Sequence, residues 1–304
     1  MYDILILGGG PAGLSAAIYG ARAGRKVALM EKTAAGGQIV STHRLENYPG
    51  FVQGISGPEF SENLRRQAER FGVEWIAEEA VAADLRPAEK RVTGKTREYT
   101  AKSVILAMGA APRKLQIPGE EAFSGMGVSY CATCDGAFFR GMRVAVVGGG
   151  DTAFEDALYL ADLAAEVYIV HRREQFRAQQ YLVDRAAHTE NIHFVKNAVP
   201  VKIGGGMDLS FLRLKNTTTG AEETLSVEGV FVAIGHQPNT ALVAGQVVLD
   251  SAGYVIAGED TKTNLPGVFA AGDLRQKPLR QVVTAAADGA VAAMQAHAAC
   301  MHQE

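Results

Sequence analysis

Cysteine and any surplus of charge of one sign are scarce in this sequence, and each shortage closes off a class of protein. Three cysteines in 304 residues cannot cross-link a chain of this length, which excludes a small secreted scaffold held by disulfides. Lys and Arg number 30 against 33 Asp and Glu, for a net charge of -3, so the overall balance is not basic and nucleic acid is not expected as a main partner. No apolar run approaches the roughly 18 residues of a membrane span. The start, Met1-Tyr2-Asp3 ahead of Ile4 to Leu7, has neither the basic segment nor the small-residue cleavage site of a secretory leader. The expectation is a cytoplasmic protein with no membrane partner.

What is present is the balance of a globular protein, 47% apolar and 21% charged, long enough for two domains at about 100 to 200 residues each. Two of the three cysteines, Cys131 and Cys134, share one CxxC. In a reducing compartment that spacing points to redox catalysis or metal binding before a structural bridge.

The chain repeats itself. Near the N-terminus an apolar run leads into Gly8-Gly9-Gly10-Pro11-Ala12-Gly13 and a helix-compatible stretch; the run Val144 to Val147 leads into Gly148-Gly149-Gly150-Asp151-Thr152-Ala153 and a second helical stretch. Each copy continues with another apolar strand, Lys26 to Met30 and Val167 to Val170. Each later reaches an apolar strand that stops at a glycine, Gly109 in the first copy and Gly235 in the second. The fold class is therefore α/β, with two Rossmann-like dinucleotide-binding units in one chain. The first glycine of such a motif permits the tight strand-to-helix turn, the second lets a pyrophosphate approach the backbone, and the third allows close helix packing. The helix N-terminus offers unpaired N–H groups to the phosphates.

The residue closing the second strand distinguishes the nucleotides. In the first copy it is Glu31, a carboxylate suited to ribose hydroxyls and hostile to a further phosphate, as FAD or NAD requires. The equivalent position in the second copy is His171, followed by Arg172, Arg173 and Arg177. An acid has given way to a cationic cluster, the chemistry of a 2′-phosphate and hence of NADPH; the bland alternative is a solvated basic face.

Between the units lies Cys131-Ala132-Thr133-Cys134-Asp135-Gly136. Zinc needs four ligands, and no second CxxC or nearby histidine pair supplies them, so no metal is expected. Two thiols at this spacing can close a small disulfide, and a helix N-terminus there would favour the thiolate. Asp135 can exchange protons with the thiols or simply cap a turn.

These motifs in this order, CATCDG before GGGxTAxExALYL, then HRRxxFRA, then GVFAAGD followed by RQ, resemble low-molecular-weight thioredoxin reductase over essentially the whole chain. The resemblance implies an NADPH domain with the redox CxxC, about residues 115–242, inserted into a FAD domain made of about 1–114 and 243–304. By similarity FAD is held by Gly8, Gly10, Pro11, Gly13, Glu31, Gly37, Gln38, Asn47 and Gly109, and near the flavin end by Gly272, Asp273, Arg280, Gln281 and Val282. NADPH is held by Gly148, Gly150, Asp151, Thr152, His171, Arg172, Arg173, Arg177 and Gly235. It also implies the electron route from NADPH through FAD to a Cys131–Cys134 disulfide and on to thioredoxin. Cys134 faces the flavin, Cys131 attacks thioredoxin, and Asp135 serves as the acid. A homodimer is implied too. The CxxC shares the inserted segment with the NADPH site while the flavin belongs to the other domain, and both disulfide and nicotinamide must reach the flavin ring, so the inserted domain is expected to rotate on hinges near residues 112–118 and 235–240. The rival readings are a dithiol oxidase of the same flavoprotein group, a reductase of another small dithiol carrier, and a flavin redox sensor without turnover. Cys300, between His297 and His302, reads as an incidental thiol. The last helix is more Ala-rich than the resemblance leads one to expect.

Overall fold

The computed structural model describes residues 1–42 and 44–301. His302 lies outside the described residues. By contacts the chain divides into two units, Met1–Ala111 with the segment from Gln237 onward, and Pro112–His236. Both crossings fall a few residues before the positions that the motifs imply.

Ile4 to Leu7 are apolar on both faces of the strand they form, and all four are buried, as a central parallel strand requires. That strand is β1 (Tyr2–Leu7). It is followed by α1 (Pro11–Arg22), β2 (Val27–Glu31), α2 (Gly57–Arg70), β3 (Glu74–Ala77), β4 (Ala80–Asp84), β5 (Lys90–Gly94) and β6 (Glu98–Leu106). Pro11 opens α1 at no cost, because the first turn has no partner for its missing N–H. Ser56 caps α2, its Oγ accepting from the Glu59 N–H at 3.3 Å. The strand order is β3-β2-β1-β6-β5-β4, parallel from β3 to β6 and antiparallel beyond.

A short strand, β7 (Ala110–Pro112), leaves this unit. The inserted unit contains β8 (Val128–Ser129), α3 (Ala132–Asp135), β9 (Arg143–Gly148), α4 (Asp151–Ala161), β10 (Glu166–Val170), α5 (Gln180–Ala187) and β11 (Ile192–Val195). It ends with β12 (Ala198–Gly205), β13 (Leu209–Asn216), β14 (Glu222–Ser226) and β15 (Gly229–Ala233). Its parallel sheet runs β11-β10-β9-β15-β8, which repeats the β3-β2-β1-β6 order of the first unit, with an antiparallel meander β12-β13-β14 beside it. The chain returns through β16 (His236–Pro238), which pairs with β7. It then completes the first sheet with β17 (Val268–Ala270), parallel to the second half of β6.

The last helix, α6 (Val282–Met301), explains its own composition. Ala285, Ala292, Ala293 and Ala296 are buried in one cluster with Ala12, Ala16 and Ala17 of α1. A Cβ on Gly289 would collide with the Ala12 carbonyl. Small side chains are thus what let the two helices approach. Cys300 is buried at the end of α6, its thiol 3.4 Å from the Asp3 carbonyl and 3.6 Å from Ser103 Oγ, and His297 accepts from Arg25 Nε at 3.0 Å.

Candidate active site

The two glycine loops show which glycines serve the protein and which face outward. A Cβ on Gly8 would strike the carbonyl of Ala107 at the end of β6, and one on Gly148 would strike that of Ala233 at the end of β15. A Cβ on Gly13 would strike Gly8 itself; in the second loop Ala153 takes that place and is fully buried. The middle glycines behave differently. A Cβ on Gly10 would find only the Gly36 carbonyl, 4.0 Å away, and one on Gly150 would meet nothing within 4 Å beyond its chain neighbours and its own helix. Protein packing does not require these two glycines, whereas a pyrophosphate lying over the N-termini of α1 and α4 does.

Around the first loop the structure brings distant sequence positions together. Gly37 lies against Gly10, and Gln38 Nε2 donates to the Ala110 carbonyl. Asn47 Nδ2 donates to Gln281 Oε1 at 3.0 Å, and Val282 packs, with Tyr48 and Phe51, on the cluster of Ile39, Leu45, Ile55 and Phe60. The Gly109 carbonyl accepts from Asn239 N at 3.0 Å. Glu31 is already engaged: its carboxylate accepts from Gly9 N at 2.7 Å and from Thr33 N and Oγ1 at 3.0 Å each. Its remaining lone pairs are what a ribose could use. Arg280 donates to the Asp273 carbonyl at 3.3 Å and stacks 4.0 Å over Tyr254. Asp273 Oδ1 is buried with no hydrogen-bond partner among the described residues. Burial pushes this carboxyl up, while Lys277 and Arg280 pull it back. A buried acceptor of this kind is costly unless a donor meets it, and a cofactor hydroxyl would do so.

In the inserted unit, Asp151 at the first position of α4 accepts from Gln179 N at 2.7 Å and Gln179 Nε2 at 3.0 Å, and Thr152 is exposed. The Gly235 carbonyl accepts from Arg113 N at 3.0 Å. Arg172, Arg173 and Arg177 are exposed, and their segment is tied to the glycine loop through Arg177 N to the Gly149 carbonyl at 2.7 Å. His171 does not belong with them. It is buried beneath Gly149 and 5.3 Å from the Phe176 ring, and burial followed by the nearby arginines pushes its proton affinity down. The exposed cationic cluster is therefore three arginines, with a buried histidine packed below.

Cys131 and Cys134 are joined as a disulfide, with Cα atoms 5.3 Å apart. Cys131 is the N-cap of α3, which is a single turn, so the helix dipole there is short. Both cysteines are half-buried, and the Cys134 and Asp135 N–H groups donate to the Cys131 carbonyl at 3.2 and 3.1 Å. Asp135 is half-buried as well, with Oδ2 accepting from Ser129 Oγ at 2.7 Å. Burial pushes the Asp135 carboxyl up, and the Ser129 hydrogen bond offsets part of that. A carboxyl raised in this way, one residue from Cys134, is a candidate proton donor to a leaving thiolate.

Two polar groups were not visible as site residues in the sequence. Ser129 is one. The other is Asp288, 7% exposed, which accepts from Gly272 N at 2.9 Å, Arg275 Nε and Nη2 at 2.8 Å each, and Lys277 Nζ at 2.7 Å. It fixes the turn that carries Asp273. A lone acid amid the alanines of α6 was its only signal. Asp288→Ala leaves two buried cations without their carboxylate and is expected to cost about 3–5 kcal/mol, read by urea unfolding; a loss below about 1 kcal/mol would contradict this account of the turn. Burial alone would raise the Asp288 carboxyl, but the bonds from Arg275 and Lys277 outweigh it and hold it below the usual range. The stabilisation is therefore present above about pH 4 and lost as pH falls through the lowered value.

Two dinucleotide-binding folds, one carrying a CxxC disulfide with an acid beside it, define a disulfide oxidoreductase. The chain belongs to the pyridine nucleotide-disulphide oxidoreductase family, whose model matches residues 2–289, and within it to the thioredoxin reductases. It is 49% identical over 302 residues to thioredoxin reductase of Peptoclostridium acidaminophilum, covering 97% of this chain and 96% of that protein. It is 48% identical over 298 residues to the bifunctional thioredoxin reductase/thioredoxin of Mycobacterium leprae, and there the match spans 65% of the relative's length. The crystal structure of thioredoxin reductase from Streptococcus pyogenes superposes with a TM-score of 0.94 at 43% identity, over 99% of each chain.

Proposed function

We propose that this chain uses FAD and NADPH to reduce thioredoxin, with Cys131 and Cys134 as the thiol relay and Asp135 as its acid. The observation that carries the reading is the disulfide on a half-buried turn followed at once by a carboxyl that burial pushes up, in a chain with two outward-facing glycine loops. FAD is assigned to the first loop with Glu31 and Asp273, and NADPH to the second with Arg172, Arg173 and Arg177. When bound, the two cofactors would supply the electron pair that opens the Cys131–Cys134 disulfide.

The reduced pair then works by exchange. The Cys131 thiolate attacks one sulfur of the thioredoxin disulfide, breaking that bond and forming a mixed disulfide, and the released sulfur takes a proton for which Asp135 is the source. Cys134 next attacks Cys131 Sγ, freeing the second thioredoxin sulfur, which is protonated in turn. Two electrons and two protons have passed to thioredoxin, and the Cys131–Cys134 bond is restored. Thioredoxin lies near about -270 mV, so exchange is close to reversible and the nicotinamide pool sets its direction.

The proposal includes a cytoplasmic homodimer, as the resemblance implies, and rotation of the inserted unit on hinges near residues 112–118 and 235–240. The visible spectrum of the purified protein tests it. A flavin absorption bleached by NADPH without oxygen and restored by oxidised thioredoxin is expected. Absence of flavin would overturn the reading, and oxygen consumption driven by a dithiol alone would favour the oxidase instead.

A further inference from the structure

Ser129 touches the redox turn at both ends. It closes β8, in register with Phe231 of β15, and is 4% exposed. Its Oγ donates to Asp135 Oδ2 at 2.7 Å, lies 3.3 Å from the Cys131 carbonyl and accepts from the Cys131 N–H at 3.1 Å. A hydroxyl has one hydrogen and two lone pairs. The Cys131 N–H occupies one lone pair, and the Asp135 carboxylate and the Cys131 carbonyl compete for the single hydrogen.

The charge on Asp135 decides that competition. An ionised carboxylate draws the hydrogen to itself through the shorter, charge-assisted bond. Once protonated, the carboxyl can donate to the free lone pair of Oγ, and the hydroxyl hydrogen turns to the Cys131 carbonyl. We propose that Ser129 is a positioning residue for disulfide exchange, its one hydroxyl hydrogen passing between Asp135 and the Cys131 carbonyl as Asp135 gains and loses a proton. This rests on the reading of Cys131, Cys134 and Asp135 given above. The acid and the sulfur-bearing backbone are thereby held as one unit, anchored in the sheet. Residue 130 is held from another side, since Tyr130 Oη donates at 2.9 Å to the buried Glu120, which also accepts from the N–H groups of Leu115 and Gln116 at 2.8 and 2.7 Å.

Other titratable groups near this turn define the controls. α4 packs on α3 and carries Asp151, Glu155, Asp156 and Tyr159, with Asp162 as its C-cap. Asp151 is bonded to Gln179, and Glu155 and Asp162 are exposed. Asp156 is half-buried, and burial with Glu155 beside it pushes its carboxyl up to about 7. The turn after α3 contributes Arg140, which is exposed. For Asp135 itself, burial raises the carboxyl and the Ser129 bond lowers it, so removing the hydroxyl should move its titration upward.

The test is reduction of the Cys131–Cys134 disulfide in the purified holoenzyme by dithiothreitol, followed across pH by alkylation and mass. The reagent thiolate attacks one cysteine sulfur, the S–S bond breaks and the leaving thiolate takes a proton. The second reagent thiol then releases the other cysteine and departs as the cyclic disulfide. Per reagent thiolate, the rate should fall as pH rises and Asp135 loses its proton. Ser129→Ala is expected to shift that fall upward by about one pH unit, a tenfold change in proton affinity. Ser129→Thr, which keeps the hydroxyl, should shift it less. In Asp135→Asn the fall should vanish with or without Ser129, and Asp156→Asn should leave it in place. A fall unmoved by Ser129→Ala overturns the role of Ser129 alone. A fall that persists in Asp135→Asn overturns both this proposal and the assignment of Asp135 as the acid.

Discussion

Cys134→Ser is expected to keep its flavin and to lose thioredoxin reduction by at least about a thousandfold, the scale on which removal of a reacting group acts. Neither cysteine is among the residues assigned to FAD, which come from the unit built on the first glycine loop, so cofactor content should not change. The relay needs both sulfurs, because one attacks the substrate and the other resolves the mixed disulfide. Cys131→Ser should therefore fail as completely, and the double variant no worse than either, since residues that act as one device are not additive. Cys300→Ser, at a buried thiol bonded to the Asp3 carbonyl, should retain the parental rate. Turnover assays with insulin-coupled thioredoxin measure all four. If both single variants still reduced thioredoxin at the parental rate, electrons would have to leave by another path.

Replacing Arg172 and Arg173 by Ala should raise the KM for NADPH by at least about a hundredfold and leave the KM for NADH within about twofold. Each charge-assisted hydrogen bond to a phosphate is worth roughly 1.5–3 kcal/mol, and every 1.4 kcal/mol is a factor of ten. NADH lacks the 2′-phosphate, so the two side chains have nothing to lose with it. Both arginines are exposed, and the Arg177 backbone joins their loop to Gly149, so the loss should fall on binding and not on the fold. His171 is the contrast. Buried beneath Gly149, where burial lowers its proton affinity, it should affect stability when replaced and leave the ratio of the two KM values near its parental level. Initial-rate kinetics with both nucleotides measure this. Equal losses for NADPH and NADH would mean that the arginines serve something other than the 2′-phosphate.

Features written within one short stretch could be read directly. The two glycine loops follow from strand, turn and helix signals spanning some twenty residues, and β17 was visible as an apolar run stopping at Gly272. The CxxC and its acid are adjacent in sequence, so their chemistry was legible before their geometry. Side-chain direction was not. His171 occupies the position expected for a phosphate-binding group, yet packing against Phe176 turns it under the loop. Glu31 sits where the ribose carboxylate belongs, and its bonds to Gly9 and Thr33 appear only once the chain is folded. Ser129 contacts Asp135 because β8 ends and α3 turns back within a few residues, which no local pattern specifies. Asp288 gathers Gly272, Arg275 and Lys277 from a separate segment, so its importance depends on how α6 docks.

The most direct test of the thiol relay is stoichiometric. With excess NADPH, no oxygen and a limiting amount of oxidised thioredoxin, one NADPH should be consumed for each pair of thioredoxin thiols that appears, and none of those thiols should form with Cys131→Ser. NADPH consumption without thioredoxin thiols, or thiols formed equally well by the variant, would contradict it.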